Sequence, residues 1–78
     1  MSKPYSLNGS MVFPNGKALL HQLQQGENFT KLNDRKTIFT AAYHLPTGTH
    51  TQSAYVHPKS KRCRIIANNI EVIKVKVY

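Results

Sequence analysis

The chain has 78 residues and a formal net charge of +8, because 11 lysines and arginines face only three acidic residues. This length allows one small domain with a modest core and excludes a deep substrate cavity. Its one cysteine, Cys63, excludes an intramolecular disulfide, and no apolar run reaches the roughly 20 residues that span a bilayer.

So large an excess of positive charge on a small surface indicates a polyanionic partner. We expect duplex DNA as that partner. RNA and an acidic host protein are the alternatives, and no membrane contact is expected. The start of the chain has no apolar region of the kind found in secretory signals, so the expected compartment is the cytoplasm.

The first ten residues are polar, which predicts a flexible segment over 1–10 followed by a single basic nucleic-acid-binding domain over 11–78. Ser10–Phe13 is a short apolar run stopped by proline, and it predicts a brief strand. Lys17–Gln25 predicts the first helix. Its buried stripe is formed by Leu19, Leu20 and Leu23, and Gly26 follows as the C-terminal glycine.

The middle of the chain is compatible with two predictions of secondary structure. Apolar residues recur at three- and four-residue spacing and predict a second helix, capped by Thr30 or by Asn33-Asp34 and running to about Leu45. The same stretch is rich in strand formers. Its alternative is therefore a hairpin of Lys36–His44 with Thr51–Val56.

A basic helix is expected from Pro58 to Asn69, after a short helical turn through Gln52 and Tyr55. Cys63 and Ile66 fall on its predicted buried face, whereas Lys61 and Arg64 fall opposite. After Asn69, apolar residues alternate with Lys74 and Lys76, which predicts a terminal strand. Its only obvious short partner is Ser10–Phe13, unless the middle hairpin exists.

Two stretches resemble compact winged helix-turn-helix DNA-binding domains of phages and mobile elements. ALLHQLQQGENFT looks like the first helix and the step into the second, and RCRIIANNIEVIKVKV looks like the end of a recognition helix followed by a wing strand. The resemblance implies a mainly α fold, a three-helix unit with a small β-sheet. It also implies docking of the third helix in the major groove, with the strand touching the backbone. The alternative fold is α+β with a central hairpin.

Catalysis is not expected, because the three acidic residues are scattered along the chain. A small metal-independent ribonuclease toxin using histidine with lysine or arginine is the main enzymatic alternative. No cofactor or metal is expected, since His44, His50, His57 and Cys63 lack the close ligand pairing of structural zinc sites.

The working hypothesis is a DNA-binding regulatory protein that reads sequence or shapes DNA, either a monomer or a homodimer. Its alternatives are a module that modulates an acidic host protein and a binder of RNA or single strands. In the last case Tyr43 and Tyr55 are candidates for stacking on bases. The candidate nucleic-acid contacts are Lys59, Ser60, Lys61, Arg62, Arg64, Lys74, Lys76, Thr49, His50, Gln52 and Tyr55.

Overall fold

The structure, a computed structural model, describes residues 3–78, and this part of the chain forms one antiparallel sheet. Its strands lie in the order β1-β2-β7-β3-β4-β5-β6. One 3-10 turn, Leu20–Gln22, follows β2. The strands are β1 (Tyr5–Leu7), β2 (Ser10–Leu19), β3 (Asn28–Lys31), β4 (Asp34–His44), β5 (His50–His57), β6 (Cys63–Ala67) and β7 (Glu71–Val77).

The expected mainly α fold with a winged helix-turn-helix unit is therefore wrong. Lys17–Gln25 is not a helix, since β2 continues to Leu19 and only a 3-10 turn follows. The second predicted helix is replaced by β3 and β4, and the short helical turn after it by β5. The alternative hairpin of Lys36–His44 with Thr51–Val56 is confirmed as the β4–β5 pair.

The basic helix is wrong as well, because Pro58 and the four residues after it form a loop and Cys63–Ala67 is a strand. Cys63 is exposed rather than buried, whereas Ile66 is buried as expected. The terminal strand is confirmed as β7. Its expected partner is also confirmed, since Val12 and Phe13 on β2 lie opposite Val77 and Lys76.

The expected flexible segment over 1–10 begins with Met1 and Ser2, which lie outside the described residues. Its later part contains β1, which pairs with the start of β2 through Tyr5↔Val12 and Leu7↔Ser10.

The sheet is strongly curled at its β6 end. Only three residues, 68–70, join β6 to β7, although β3, β4 and β5 lie between them in the sheet. Four strand spacings of about 4.8 Å exceed the roughly 14 Å that this link can span, so a flat sheet is impossible. The backbone N–H groups of Leu20 and His21 donate to the carbonyls of Ile70 and Asn68, both at 3.0 Å, and close this corner.

Curling encloses the main core. This core contains the stacked pair Phe29 and Phe39, with ring centroids 5.5 Å apart, together with Leu20, Leu23, Ala41, Ile66 and Val72. Burial of these side chains is the principal source of stability for so small a domain.

A second core lies on the opposite face of the central strands, where β1 folds over them. The Tyr5 hydroxyl donates to the Arg35 carbonyl at 2.6 Å, although three strands separate β1 from β4 in the sheet. This core contains Val12, Ile38, Ile73 and Val75. Because β7 is covered on both faces over part of its length, consecutive residues such as Val72 and Ile73 are both buried.

Candidate nucleic-acid interface

The β2–β7 pair carries aromatic and basic side chains on one face of the sheet. Phe13 lies opposite Lys76 in the antiparallel register, so both side chains leave the sheet on the same side. Positions two residues apart in a strand share a face, which adds Lys74 and Met11 to this side. Tyr78 follows at the end of β7, and its backbone N–H and C=O both pair with Met11 at 2.9 Å. We call Met11, Phe13, Lys74, Lys76 and Tyr78 the aromatic–basic surface.

The two rings of this surface hold each other in place. Phe13 and Tyr78 meet edge to face, with ring centroids 5.4 Å apart and ring planes at 80°. This arrangement is favoured by the charge distribution of aromatic rings. Tyr78 is nevertheless 74% exposed and Phe13 38% exposed, so Tyr78 offers a ligand the larger accessible surface of the two.

A groove of about 400 Å³ runs along β7 beside these rings. The register of β2 with β7 shifts between Pro14 and Lys17, and this bulge places Asn15 over the groove. Gly16 has a φ of +96° in the bulge, a conformation that favours glycine. The lining residues are Asn15, Gly26, Glu27, Asn28, Lys74, Val75, Lys76, Val77 and Tyr78.

A second group of cations lies at the far end of the hairpins. Ile38 pairs with His57, so the β3–β4 turn and the β5–β6 loop lie at the same end of the β4–β5 pair. The strand ends that flank the turn contribute three cations, and the loop contributes three more. We call these residues the hairpin-end cluster: Lys31, Arg35, Lys36, Lys59, Lys61 and Arg62.

Asp34 is the one acidic residue of this turn, and its carboxylate is used locally. The Thr37 hydroxyl donates to Oδ2 at 2.9 Å and the Lys36 N–H donates to Oδ1 at 3.1 Å. These bonds, led by the one from Thr37, hold the pKa of Asp34 below its ordinary value. The carboxylate therefore braces the turn and leaves the surrounding lysines exposed or half-buried.

The predicted contact residues are divided among several places. Lys59, Ser60, Lys61 and Arg62 are exposed in the β5–β6 loop, and Arg64 lies next to them on the edge strand β6. Lys74 and Lys76 lie on the aromatic–basic surface. Lys31 pairs with Val72 and Asn28 with Val75, so the hairpin-end cluster and the groove lie at opposite ends of β3.

The remaining predicted contacts belong to neither surface. Thr49 and His50 lie at the other end of β5 and bond to each other, with Oγ1 to Nδ1 at 2.8 Å. Gln52 is half-buried between its register partners Tyr43 and Ile65. Tyr55 is half-buried and packs against the main core, with its ring centroid 4.9 Å from that of Phe39.

Sequence reasoning missed Met11, Phe13, Asn15, Glu27 and Tyr78. The signal for Phe13 was available, since Ser10–Phe13 was the expected partner of the terminal strand. An antiparallel register between the two places an aromatic ring beside a lysine. Glu27 gave no such signal, because its position depends on backbone bonds across the fold.

Among residues 3–78, no group of three or more histidine, cysteine, aspartate or glutamate side chains is arranged to hold a metal ion. His44 has a structural place instead, with Nε2 donating to the Leu23 carbonyl and Nδ1 facing the Thr51 hydroxyl, both at 2.7 Å. The described residues contain no helix of the length and apolar character needed to cross a membrane.

No protein-family model, no curated protein and no solved structure matches this chain.

Proposed function

We propose that this protein binds single-stranded nucleic acid, RNA in the first place, through the aromatic–basic surface on β2 and β7, and that it acts without catalysis. The observation that carries the proposal is the placement of the exposed Phe13–Tyr78 ring pair on the same face as Lys74 and Lys76. Exposed rings beside cations suit unpaired bases and their phosphates, whereas the bases of a duplex are already stacked on each other.

The observed fold is the reason for proposing a single-stranded ligand in place of the expected duplex DNA. That expectation required a basic helix in the major groove, and Pro58–Asn69 is instead a loop, a strand and a turn. A curled sheet with exposed rings offers a stacking platform. Affinity for such a platform then depends more on whether the bases are unpaired than on their sequence.

The binding energy has two sources. A base stacked on an exposed ring contributes roughly 1–3 kcal/mol, and Tyr78 and Phe13 provide the ring surface. Lys74 and Lys76 neutralise adjacent phosphates, and Lys59, Lys61 and Arg62 of the hairpin-end cluster contact a longer strand farther along. About five such contacts on a single strand give a log–log salt slope of roughly −3 to −4. A cytoplasmic setting is part of the proposal.

Fluorescence anisotropy tests it with labelled oligonucleotides of about 12 residues, within the usual range of site sizes. We expect single-stranded RNA to bind more tightly than a duplex of the same length. Lys76→Ala is compared with Lys17→Ala, which removes the same charge from the other face of the same strand pair. Lys17 is the register partner of Ile73, whose side chain leaves the sheet on that other face. The first substitution weakens binding and lowers the salt slope, and the second has little effect.

Equal losses from the two variants would show that only net charge matters and would overturn the surface assignment. Tighter binding of the duplex would return duplex DNA as the ligand. No salt-sensitive binding to any nucleic acid would overturn the proposal and direct attention to an acidic protein partner.

A further inference from the structure

Glu27 carries the one side-chain carboxylate among the residues that line the groove, and hydrogen bonds hold it in place. Its Oε1 accepts a hydrogen bond from the Gln24 N–H at 2.9 Å. Its backbone N–H donates to the Gln24 carbonyl at 3.0 Å, and its own carbonyl accepts from the Ala41 N–H at 2.9 Å. A half-buried side chain with so many local bonds presents its carboxylate in one place.

The two lysines of the groove do not neutralise this carboxylate. Within the described part of the chain, Glu27 forms no ion pair with Lys74 or Lys76, and its side-chain hydrogen bond goes to the backbone of Gln24. An ionised carboxylate has about four lone-pair sites on two oxygens, so Oε2 and part of Oε1 remain available to a ligand.

A carboxylate repels phosphate, so the part of a nucleic acid that meets Glu27 must carry hydrogen-bond donors. The ribose 2′-hydroxyl and the base edges provide them, and only the base edges differ from one nucleotide to the next. The Watson–Crick edge of guanine has two adjacent donors, N1–H and the N2 amino group. Adenine and cytosine each present one amino group there, and uracil presents one N3–H. Two adjacent donors match the two oxygens of a carboxylate.

We propose that Glu27 selects guanine for the base that stacks at Tyr78, so that the groove reads one base while the surface around it binds any single strand. This inference rests on the proposed function and names the specificity of the same site. A well-placed pair of hydrogen bonds to a base corresponds to roughly tenfold to hundredfold discrimination.

The test uses four labelled RNA oligonucleotides of uridines with one central guanine, adenine, cytosine or inosine. The wild-type protein binds the guanine oligonucleotide roughly tenfold more tightly than the adenine one. Inosine, which lacks the N2 amino group, falls between them. Glu27→Gln keeps an oxygen for the Gln24 N–H but loses the second acceptor. It therefore loses the guanine preference and still binds the adenine oligonucleotide at least as well as the wild type does.

Glu71→Gln is the matched control, because it makes the same charge change at an exposed position on β7 that does not line the groove. We expect it to keep the guanine preference. If all four oligonucleotides bind the wild type tightly and equally, the inference is overturned and the proposed function stands. A guanine preference that survives in Glu27→Gln overturns the role of Glu27. If no oligonucleotide binds, both proposals fail. The comparison of guanine with inosine needs only the wild-type protein, and equal binding of these two oligonucleotides overturns the guanine assignment even if the variant does not fold.

Discussion

Phe13 and Lys76 are direct partners across β2 and β7, so an aromatic ring and an ammonium group leave the sheet side by side. Tyr78 extends the same face, with its ring standing edge-on to that of Phe13. The β2–β7 pair therefore presents aromatic rings and positive charges on one face, next to the groove.

The ring of Tyr78 is expected to contribute to binding by stacking rather than by its hydroxyl. Tyr78→Ala should weaken the binding of single-stranded RNA by roughly 1–3 kcal/mol, whereas Tyr78→Phe should stay close to the wild type. Anisotropy titrations of the three proteins measure this. Because Tyr78 is largely exposed, the melting temperature should change little. An equal loss in both variants would assign the contact to the hydroxyl group.

The main core should be sensitive to truncation at its centre. Phe29 is fully buried and stacked on Phe39, so Phe29→Ala should destabilise the fold by roughly 3–5 kcal/mol. Ile65→Ala is the control, since Ile65 is 59% exposed on the edge strand and should cost little. Chemical denaturation followed by circular dichroism measures both. Similar losses at the two positions would contradict the placement of the core.

Two buried hydroxyl groups, on Thr30 and Ser53, are expected to reduce the stability of the domain. Thr30 Oγ1 and Ser53 Oγ have no hydrogen-bond partner within the described residues, and both residues are fully buried. Removing an unsatisfied hydroxyl avoids its desolvation cost, so Ser53→Ala and Thr30→Val should each stabilise by about 1 kcal/mol.

For a domain of this size such a gain raises the melting temperature by roughly 4–8 °C. Ser6→Ala, at an exposed position on β1, is the control and should leave it unchanged. A clear drop in melting temperature for Ser53→Ala would mean that its hydroxyl has a partner after all.

The bond from Tyr5 to Arg35 should make the attachment of β1 dependent on pH. Burial raises the pKa of the Tyr5 hydroxyl above its ordinary 10.0; the nearby Arg35 lowers it and Asp34 raises it. The protonated hydroxyl donates to the Arg35 carbonyl at 2.6 Å, so Tyr5→Phe should lose about 1 kcal/mol at neutral pH.

The sign of the pH effect follows from the raised pKa. The folded protein favours the protonated form, so this stability is fully present below pH 10 and is lost as the pH rises above it. Thermal melts of the wild type and Tyr5→Phe should therefore differ at pH 7 and converge above pH 10. A difference that grows with rising pH would contradict the assignment.

Strand β7 could be predicted because its two faces have different surroundings near its end. Val75 and Val77 alternate with Lys74 and Lys76, and this period of two indicates a strand from the sequence alone. The pairing with Ser10–Phe13 was also within reach. Together these bring Phe13 and Lys76 onto one face, which is half of the candidate site.

The central strands could not be predicted in the same way, because the curled sheet buries both of their faces. Ile38 lies in the second core and Phe39 in the main core, so two consecutive residues are buried and the alternation disappears. The remaining three- and four-residue spacings then imitate a helix. The leucines of Lys17–Gln25 mislead similarly, since Leu20 and Leu23 reach the core from a 3-10 turn and the residue after it.

Glu27 and Asn15 lay beyond sequence reasoning for a different reason. The bulge in β2 brings Asn15 to the groove, and backbone bonds to Gln24 and Ala41 hold Glu27 there. Register shifts and contacts between distant residues produce no periodic pattern of residue types that a single sequence would show.

The central claim is that single-stranded RNA binds on the β2–β7 face, and a heteronuclear NMR titration tests it most directly. With a short uridine-rich RNA added to the labelled protein, we expect the largest amide shifts at Met11–Asn15 and Lys74–Tyr78. Weaker shifts are expected in the loop that contains Lys59, Lys61 and Arg62. Shifts confined to that loop, or spread evenly over all the basic residues, would contradict the assignment of the site.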